Sequence, residues 1–456
     1  MRTAPPDLPG TSTTDSPIDR ALSLLLAGER DAALRWSAAI VEQEDAVPSA
    51  LILTCRLLAD AGRTEAAIEG FKLGLRRAID SGNLPLAVAA VADLRTLGVD
   101  TSELLDDVAA AFCAGSSRLT ELPPPPPPLP SFDQLQPLSS FLTGPALLSK
   151  ATQIVHEASG KYEAGENIAL FAPLPLFSSL EKGGLRALVS VFEMITVPAG
   201  HEVICQGAEG AEAYIVARGE LEVRKAVGGD GAEVDAAAEP TTLARLGNGA
   251  LFGEMALVSR APRAASVFAC RPSILLVARR DALEAVAEIR PDVGVQLAAH
   301  CRRRMVANLV RTSPVLLNVA QEQRPLLVDL LETRVFEKGE KLIDEGHDTS
   351  GLHLIASGEV AIIGHESGEP FVISTLGVGA VVGEVALVLR RKANADVVAV
   401  RPTVTLHLPR DQFMDLVRAH PAILLSLYLM AIERDEETSS VLATATTNIT
   451  EDYVLI

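Results

Sequence analysis

The chain has 456 residues, a length that favours about three domains, and 48% of them are hydrophobic, enough for ordinary packed cores. Its 59 acidic and 40 basic residues give a formal net charge of −19, which disfavours nucleic acid and anionic membranes as main partners because both would be repelled. No apolar run is long enough to span a membrane, and the polar, proline-rich N-terminus does not resemble a signal peptide. We therefore expect a cytoplasmic protein.

The cysteines are odd in number, scattered and without C-x-x-C spacing, so we expect free, buried thiols rather than disulfides or a zinc site. They are Cys55, Cys113, Cys205, Cys270 and Cys301. The sequence contains no nucleophile–base set, no paired metal-ligand spacing and no P-loop. These observations predict no catalytic residues, no metal and no cofactor.

Residues 1–15 are predicted to form a disordered tail, and residues 16–117 follow a helical pattern rich in alanine and leucine. The stretch Ala27–Ala33 recurs at Ala61–Ala67, 34 residues later, which is the period of tetratricopeptide helix hairpins. This region resembles two or three degenerate repeats of that kind, with a generic helical bundle as the alternative. A peptide-binding groove on it is one candidate docking site for a protein partner.

Six consecutive prolines, Pro123–Pro128, lie in a predicted linker over 118–150. A proline run forms a stiff polyproline II spacer. We therefore expect the helical region to fold without the rest of the chain.

The remaining chain contains a second, longer repeat. Residues 197–223 align without a gap to 336–362, offset by 139, and Leu246–Arg260 aligns with Leu376–Arg390, offset by 130. Each copy has short alternating strands separated by glycines and ends in a helical pattern. The fold class is therefore multidomain α + β: an all-α helical-repeat region, then two tandem jelly-roll-like β-rolls flanked by helices. The rolls are predicted over 170–311 and 312–435, and a frayed tail over 436–456.

The first copy contains a motif whose residue types suit the binding of a ligand. Gly253 lets another group approach the backbone closely, and the residues after Glu254 suit a helical turn whose free N–H groups can bind an anion. Nine residues after Glu254 comes Arg263, introduced by Pro262, and an arginine fork beside free N–H groups suits a phosphate. Glu254 can accept hydrogen bonds from a sugar diol but would repel a second phosphate. The pattern indicates a cyclic mononucleotide.

The stretch from Phe252 to Ser266 resembles the phosphate-binding cassette of cyclic nucleotide-binding domains, as in regulatory subunits of cyclic AMP-dependent protein kinase and the catabolite activator family. The resemblance implies a site that contains Gly253, Glu254, Met255, Ala256, Arg263, Ala264 and Ala265.

The resemblance implies that Arg263 binds the phosphate together with the N–H groups of Ala256 and Ala264. Glu254 holds the ribose 2′-hydroxyl, helped by the backbone of Gly253. A threonine or serine at position 264 would favour cyclic GMP, so Ala264 favours cyclic AMP, with cyclic GMP as the alternative ligand.

The second copy departs from this pattern. Gly383 and Glu384 are kept, but Ala393 stands in place of Arg263 and Asp396 in place of Ser266. Because the clamp is missing and an acid lies close by, we expect a degenerate site without ligand.

The predicted function is a cyclic nucleotide receptor that couples binding in the first roll to an unidentified protein partner, through repacking of the helix at about 279–311. An interaction scaffold with purely structural rolls is the main alternative. A transcription regulator is disfavoured because no basic recognition helix follows the rolls. The predicted linker contains no pseudosubstrate motif that begins with a pair of arginines. The sequence therefore does not support inhibition of a kinase through such a motif.

Overall fold

The structure is a computed structural model, and it describes residues 16–43, 47–123, 135–162, 169–225, 240–255, 257, 262–313, 330–366, 369–419, 425, 427–432 and 434. Both predicted tails and most of the proline run lie outside these residues.

Six helices fill the described part of the region 16–117. They are α1 Pro17–Leu26, α2 Arg30–Gln43, α3 Pro48–Asp60, α4 Thr64–Asp80, α5 Leu84–Thr96 and α6 Ser102–Phe112. Ser16 caps α1 by accepting a hydrogen bond from the Asp19 amide. The turns at Gly28 and Gly62 both have left-handed backbones, with φ of +84° and +78°. The helices predicted here are confirmed, whereas their assignment to the tetratricopeptide class stays a prediction.

Two further helices follow, α7 Gly144–Lys161 and α8 Lys182–Ser190. Helix α7 begins within the range predicted as linker, and it packs across α2 and α4. Arg35 of α2 donates a hydrogen bond of 3.0 Å to the carbonyl of Leu142, directly before α7. The chain after the proline run therefore returns to the helical region and extends it.

The helical region shares one continuous hydrophobic core with the first roll. Buried apolar residues of this core run from Ile18 in α1 to Val293 beyond the roll. Asp19 and Arg218 form an ion pair of 2.6 Å between these two parts, and their side chains are only 5% and 13% exposed. Removing one partner of such a buried pair typically costs about 3–5 kcal/mol. The proline run thus does not isolate the helical region, in contrast to the expectation from the sequence.

The two predicted rolls are confirmed. The strands of roll one are β1 Glu193–Val197, β2 Glu202–Ile204, β3 Glu212–Arg218, β4 Leu221–Lys225, β5 Thr241–Leu246, β6 Leu251–Phe252, β7 Ser266–Ala269 and β8 Ser273–Arg279. The strands of roll two are β9 Glu332–Phe336, β10 Lys341–Ile343, β11 Gly351–Ser357, β12 Val360–Glu366, β13 Glu369–Leu376, β14 Val381–Val382, β15 Asp396–Ala399 and β16 Thr403–Pro409.

Each roll consists of two four-stranded antiparallel sheets. The strand orders are β1-β8-β3-β6 and β2-β7-β4-β5 in roll one, and β9-β16-β11-β14 and β10-β15-β12-β13 in roll two. Adding eight to each strand number of roll one gives the strand orders of roll two. The two rolls therefore have the same topology, and aligned residues can be compared position by position.

Among the described residues, four helices with printed bounds accompany the rolls: α9 Arg280–Ile289, α10 Pro291–Thr312, α11 Glu384–Val388 and α12 Arg410–Ala419. Residues 427–432 and 434, after α12, are also helical. Helix α10 contacts α8 beside roll one and strand β11 of roll two. Its buried residues Cys301, Met305 and Leu309 belong to the same apolar cluster as Leu352 and Leu354 of roll two. Helix α10 therefore connects the two rolls through a packed core.

All five cysteines are free. Cys55, Cys113 and Cys301 are buried as expected, but Cys205 and Cys270 are exposed. No group of three metal-ligating side chains occurs within the described ranges. No helix among the described residues is long and apolar enough to cross a membrane.

Roll two contains a buried histidine pair. His353 on β11 lies opposite His407 on β16, with ring centroids 4.4 Å apart and each residue 1% exposed. The Nδ1 atom of His353 lies 3.0 Å from the hydroxyl of Thr405. Burial, assisted by the charges of His407 and Arg334, lowers the pKa of His353 to about 3. Burial also lowers the pKa of His407, with Arg334 acting in the same direction and Glu332 opposing it. Both imidazoles are therefore neutral at pH 7.

This pair predicts that roll two loses stability in mild acid. The pKa of His353 is 6.5 for the free group and about 3 in the fold, so the unfolded chain binds more protons below pH 6.5. The stabilisation is complete above pH 6.5 and declines as the pH falls toward 3. At pH 5 the loss from His353 is about 2 kcal/mol. Urea unfolding of the chain at pH 7.5 and pH 5 measures it.

The variant His353→Asn, which keeps a hydrogen-bonding group toward Thr405, should be less stable at pH 7.5 but should lose less stability between the two pH values. His156→Asn, at an exposed position, is the matched control and should keep the wild-type difference. An equal pH dependence in His353→Asn and the wild type would show that this histidine is not the titrating group.

Candidate functional site

The first cassette begins where strand β6 ends. Gly253 has a φ of +76°, and a Cβ atom there would lie 2.9 Å from Arg263 Nη1 and 3.1 Å from the carbonyl oxygen of Glu212. Both the backbone conformation and the close approach therefore require glycine. The groups that approach the backbone at Gly253 in this structure belong to Arg263 and Glu212 of the chain itself.

Arg263 is buried, with 7% of its surface exposed. Its Nη1 donates to the carbonyl of Gly253 at 2.7 Å, and its Nη2 donates to the carbonyl of Glu212 at 2.8 Å. The same Nη2 lies 3.5 Å from the Glu212 carboxylate. Burial lowers the pKa of Arg263, and nearby Tyr214 and Glu212 oppose the shift. Because a guanidinium titrates so far above neutrality, Arg263 is a fixed, oriented cation at pH 7.

Glu254 is even more buried, at 1% exposure. Its Oε1 lies 3.2 Å from Nε of Arg304 in helix α10. Arg304 also donates a hydrogen bond to the carbonyl of Leu251 on β6. Burial raises the pKa of Glu254, whereas Arg304 and, more weakly, Arg263 oppose that rise. The carboxylate therefore depends on a helix arginine for its countercharge.

The other predicted site residues are distributed around this centre. Ala264 is exposed and Ala265 half-buried, while Ala256 lies outside the described residues. Met255 packs against the apolar cluster that α10 shares with roll two. Ser266 accepts a hydrogen bond of 2.9 Å from the amide of Gln206, so its hydroxyl ties β7 to the turn after β2.

The second cassette has the same frame. Gly383 has a φ of +90°, and Glu384 is 1% exposed and paired with Arg434. Arg434 also donates to the carbonyl of Val381, as Arg304 does to the carbonyl of Leu251. Each cassette glutamate is thus held by an arginine that comes 50 residues later in the chain. Neither arginine was identified from the sequence, although this equal spacing is visible in the aligned repeats.

Ala393 occupies the backbone position of Arg263. Its amide donates to the carbonyl of His347 at 2.9 Å, and its carbonyl accepts from Gly346 at 2.8 Å. Arg263 makes the corresponding pair of bonds, at 2.9 Å to Ala208 and 2.8 Å from Gly207. The alignment that identified Ala393 as the replacement therefore agrees with the backbone geometry.

Asp396 has a structural role at the position of Ser266. Its Oδ1 accepts a hydrogen bond of 2.7 Å from the Glu345 amide, and its Oδ2 lies 2.7 Å from Nζ of Lys341. These partners, together with His365, lower the pKa of Asp396 against the opposing effect of its burial. Its charge is compensated by Lys341, so it repels an incoming anion less than its position in the sequence indicated.

A cavity of about 150 Å³ lies beside the second cassette. Most of its walls are aliphatic, from residues such as Ile343, Ile362 and Leu376, and its polar lining residues include Glu384 and Arg434. Ala393 lines the cavity, whereas Asp396 does not. Roll two therefore retains a recess, but the Ala393 side chain that lines it cannot pair with a phosphate.

The fold and the cassettes define the class of both rolls. Residues 194–290 and 333–420 match the cyclic nucleotide-binding domain family, so the chain contains two cyclic nucleotide-binding domains in tandem. The resemblance inferred from the residues 252–266 is confirmed.

Among characterised proteins, the chain is similar to regulatory subunits of cAMP-dependent protein kinase. It is 31% identical to the subunit of Yarrowia lipolytica over 242 residues, which are 53% of this chain and 58% of the relative. It is 32% identical to that of Schizosaccharomyces pombe over 210 residues, 44% and 47% of the two chains. The chain thus spans about half the length of the curated relatives that it matches.

Among solved structures, the chain matches the regulatory domain of Toxoplasma gondii PKA crystallised with cAMP. The match has 25% identity and a TM-score of 0.28, and it covers 57% of this chain and 92% of that one.

Proposed function

We propose that this protein is a non-catalytic regulatory receptor of the cytoplasm, in which roll one binds one molecule of cyclic AMP. The observation that carries the proposal is that one cassette contains both a buried fixed cation, Arg263, and a buried carboxylate, Glu254. Roll two keeps the carboxylate, Glu384, but has Ala393 in place of the cation.

The charges of roll one suit a cyclic mononucleotide. The guanidinium of Arg263 is oriented by two backbone carbonyls, so little conformational entropy is lost when a phosphate binds it. Glu254 offers only acceptor oxygens, which suit a ribose hydroxyl and repel a second phosphate. A single phosphodiester with an adjacent ribose hydroxyl satisfies both residues.

The effect of ligand binding in roll one is transmitted to the rest of the protein by helix α10. A ribose hydroxyl that binds Glu254 competes with Arg304, the residue by which α10 holds the cassette. The same helix packs on roll two through Cys301, Met305 and Leu309. We infer that this competition changes the packing of α10 and thereby the surface offered to a protein partner. The similarity to kinase regulatory subunits supports a protein rather than nucleic acid as that partner.

We predict that Arg263→Ala abolishes measurable binding of cyclic AMP, because the phosphate would leave water without a countercharge in the site. Loss of one partner of a buried charge pair typically weakens binding by 2–5 kcal/mol, about 30-fold to several thousand-fold. Calorimetric titration of the full chain measures the change.

The control is Lys392→Ala, which removes a cation from the second cassette and should leave the affinity unchanged. Unaltered binding in Arg263→Ala would refute the proposed site. If the wild type binds no cyclic nucleotide at all, the rolls are structural elements of a scaffold.

We also predict that cyclic AMP binds more tightly than cyclic GMP, because Ala264 offers no hydroxyl to a guanine amino group. A single hydrogen bond contributes about 0.5–1.5 kcal/mol, so Ala264→Thr should improve cyclic GMP binding by about 2- to 10-fold with little effect on cyclic AMP. Competition between the two nucleotides checks this. Ala244→Thr, at an exposed position of strand β5 outside the proposed site, is the control, and a wild type that prefers cyclic GMP would contradict the argument.

A further inference from the structure

Gly210 lies against the guanidinium of Arg263. A Cβ atom at Gly210 would be 2.1 Å from Arg263 Nε and 2.4 Å from both Cζ and Nη2. Any side chain at this position would therefore overlap the guanidinium in the place where the carbonyls of Gly253 and Glu212 hold it. Its φ lies outside the left-handed region, so the requirement for glycine arises from packing rather than from backbone strain.

The aligned residue in roll two is Thr349, at the same offset of 139 that relates Gly207 to Gly346. Thr349 is 5% exposed, and its hydroxyl donates a hydrogen bond of 2.9 Å to the carbonyl of Gly351. Gly351 aligns with Glu212, whose carbonyl accepts the hydrogen bond from Arg263 in roll one. In roll two, the threonine hydroxyl thus satisfies the carbonyl that the arginine satisfies in roll one.

The surroundings of the two cassette glycines support this correspondence. A Cβ atom at Gly253 would lie 3.2 Å from Ile204 Cδ1 and 2.9 Å from Arg263 Nη1. A Cβ atom at Gly383 would lie 3.3 Å from Ile343 Cδ1 and 3.2 Å from Thr349 Oγ1. The isoleucines correspond, and the threonine hydroxyl lies where the guanidinium lies in roll one.

We propose that the pair Gly210 and Thr349 determines which roll can hold a phosphate-binding arginine. Gly210 is a positioning residue that makes room for Arg263, whereas Thr349 fills the same space in roll two. Roll two is therefore closed to phosphate at two positions, and an arginine restored at Ala393 alone has no place to dock. The ligand-binding consequences rest on the proposed function, but the packing relation between Gly210 and Arg263 does not.

The loss of function is tested by titrating the full chain with cyclic AMP. Gly210→Thr should weaken binding by at least about 30-fold, and the smaller Gly210→Ala should weaken it less. The matched control is Gly247→Thr in the same roll, because a Cβ atom at Gly247 meets nothing within 4 Å and its φ is also outside the left-handed region. Equal affinities in Gly210→Thr and Gly247→Thr would overturn the proposal.

A second experiment asks whether roll two can be made to bind cyclic AMP. A merely structural role of Gly210 in roll one would not predict such a gain of binding in roll two. Ala393→Arg alone should leave one cyclic AMP site per chain, whereas Thr349→Gly with Ala393→Arg should create a second. A second site in the single variant, or none in the double variant, would contradict the assignment of Thr349.

A third measurement needs no ligand and separates this proposal from the proposed function. Gly210→Thr should lower the melting temperature of the wild type by at least about 2 °C. In the Arg263→Ala background the loss should largely disappear, because the space of the guanidinium is then vacant. Equal losses in both backgrounds would refute the packing relation. If the wild type fails to bind cyclic AMP, the proposed function falls, and this double-mutant cycle still decides the role of Gly210.

Discussion

The contact between Glu254 and Arg304 is the interaction on which the proposed coupling of roll one depends. A carboxylate at 1% exposure needs a countercharge, and here a helix outside the roll supplies it. The cassette therefore cannot be rearranged without a change at α10. Helix α10 also belongs to the core of roll two, which is why we propose that it carries the effect of an event at Glu254 to the rest of the molecule.

The second roll shows which parts of this arrangement are independent of phosphate binding. Glu384 and Arg434 reproduce the glutamate–arginine contact, although Ala393 provides no clamp. The contact therefore has a structural role of its own, which is to fasten the following helical segment to the cassette. In roll one the same contact lies beside the buried cation Arg263, so the carboxylate of the proposed ligand site also fastens α10 to the cassette.

The helical region and the first roll share one hydrophobic core. This core continues into the sheet of β1, β8 and β3, and the buried pair of Asp19 and Arg218 fixes the two parts against each other. Helix α5 packs directly on strands β1, β3 and β8 of roll one, whereas helix α10 packs on α8 and on strand β11 of roll two.

Much of this architecture could be predicted from the sequence because a duplicated domain provides its own alignment. The glycines at fixed offsets identified both rolls, and the spacing of Glu254 and Arg263 identified the cassette. The contacts of Arg304 and Arg434 could not be inferred, because they join elements far apart in the chain and no local pattern specifies their partners.

The shared core of the helices and roll one was missed for a related reason: an apolar helix face shows that it is buried, but not against what. Thr349 was visible in the alignment opposite Gly210. Its meaning required the side-chain packing around Arg263.

Hydrogen exchange of α10 with and without saturating cyclic AMP tests the central claim most directly. If the ribose hydroxyl displaces Arg304 from Glu254, the amides of α10 around Cys301 and Arg304 should change their exchange rates on binding, and they should not do so in Arg263→Ala. Bound nucleotide that protects the cassette while leaving exchange throughout α10 unchanged would contradict the account.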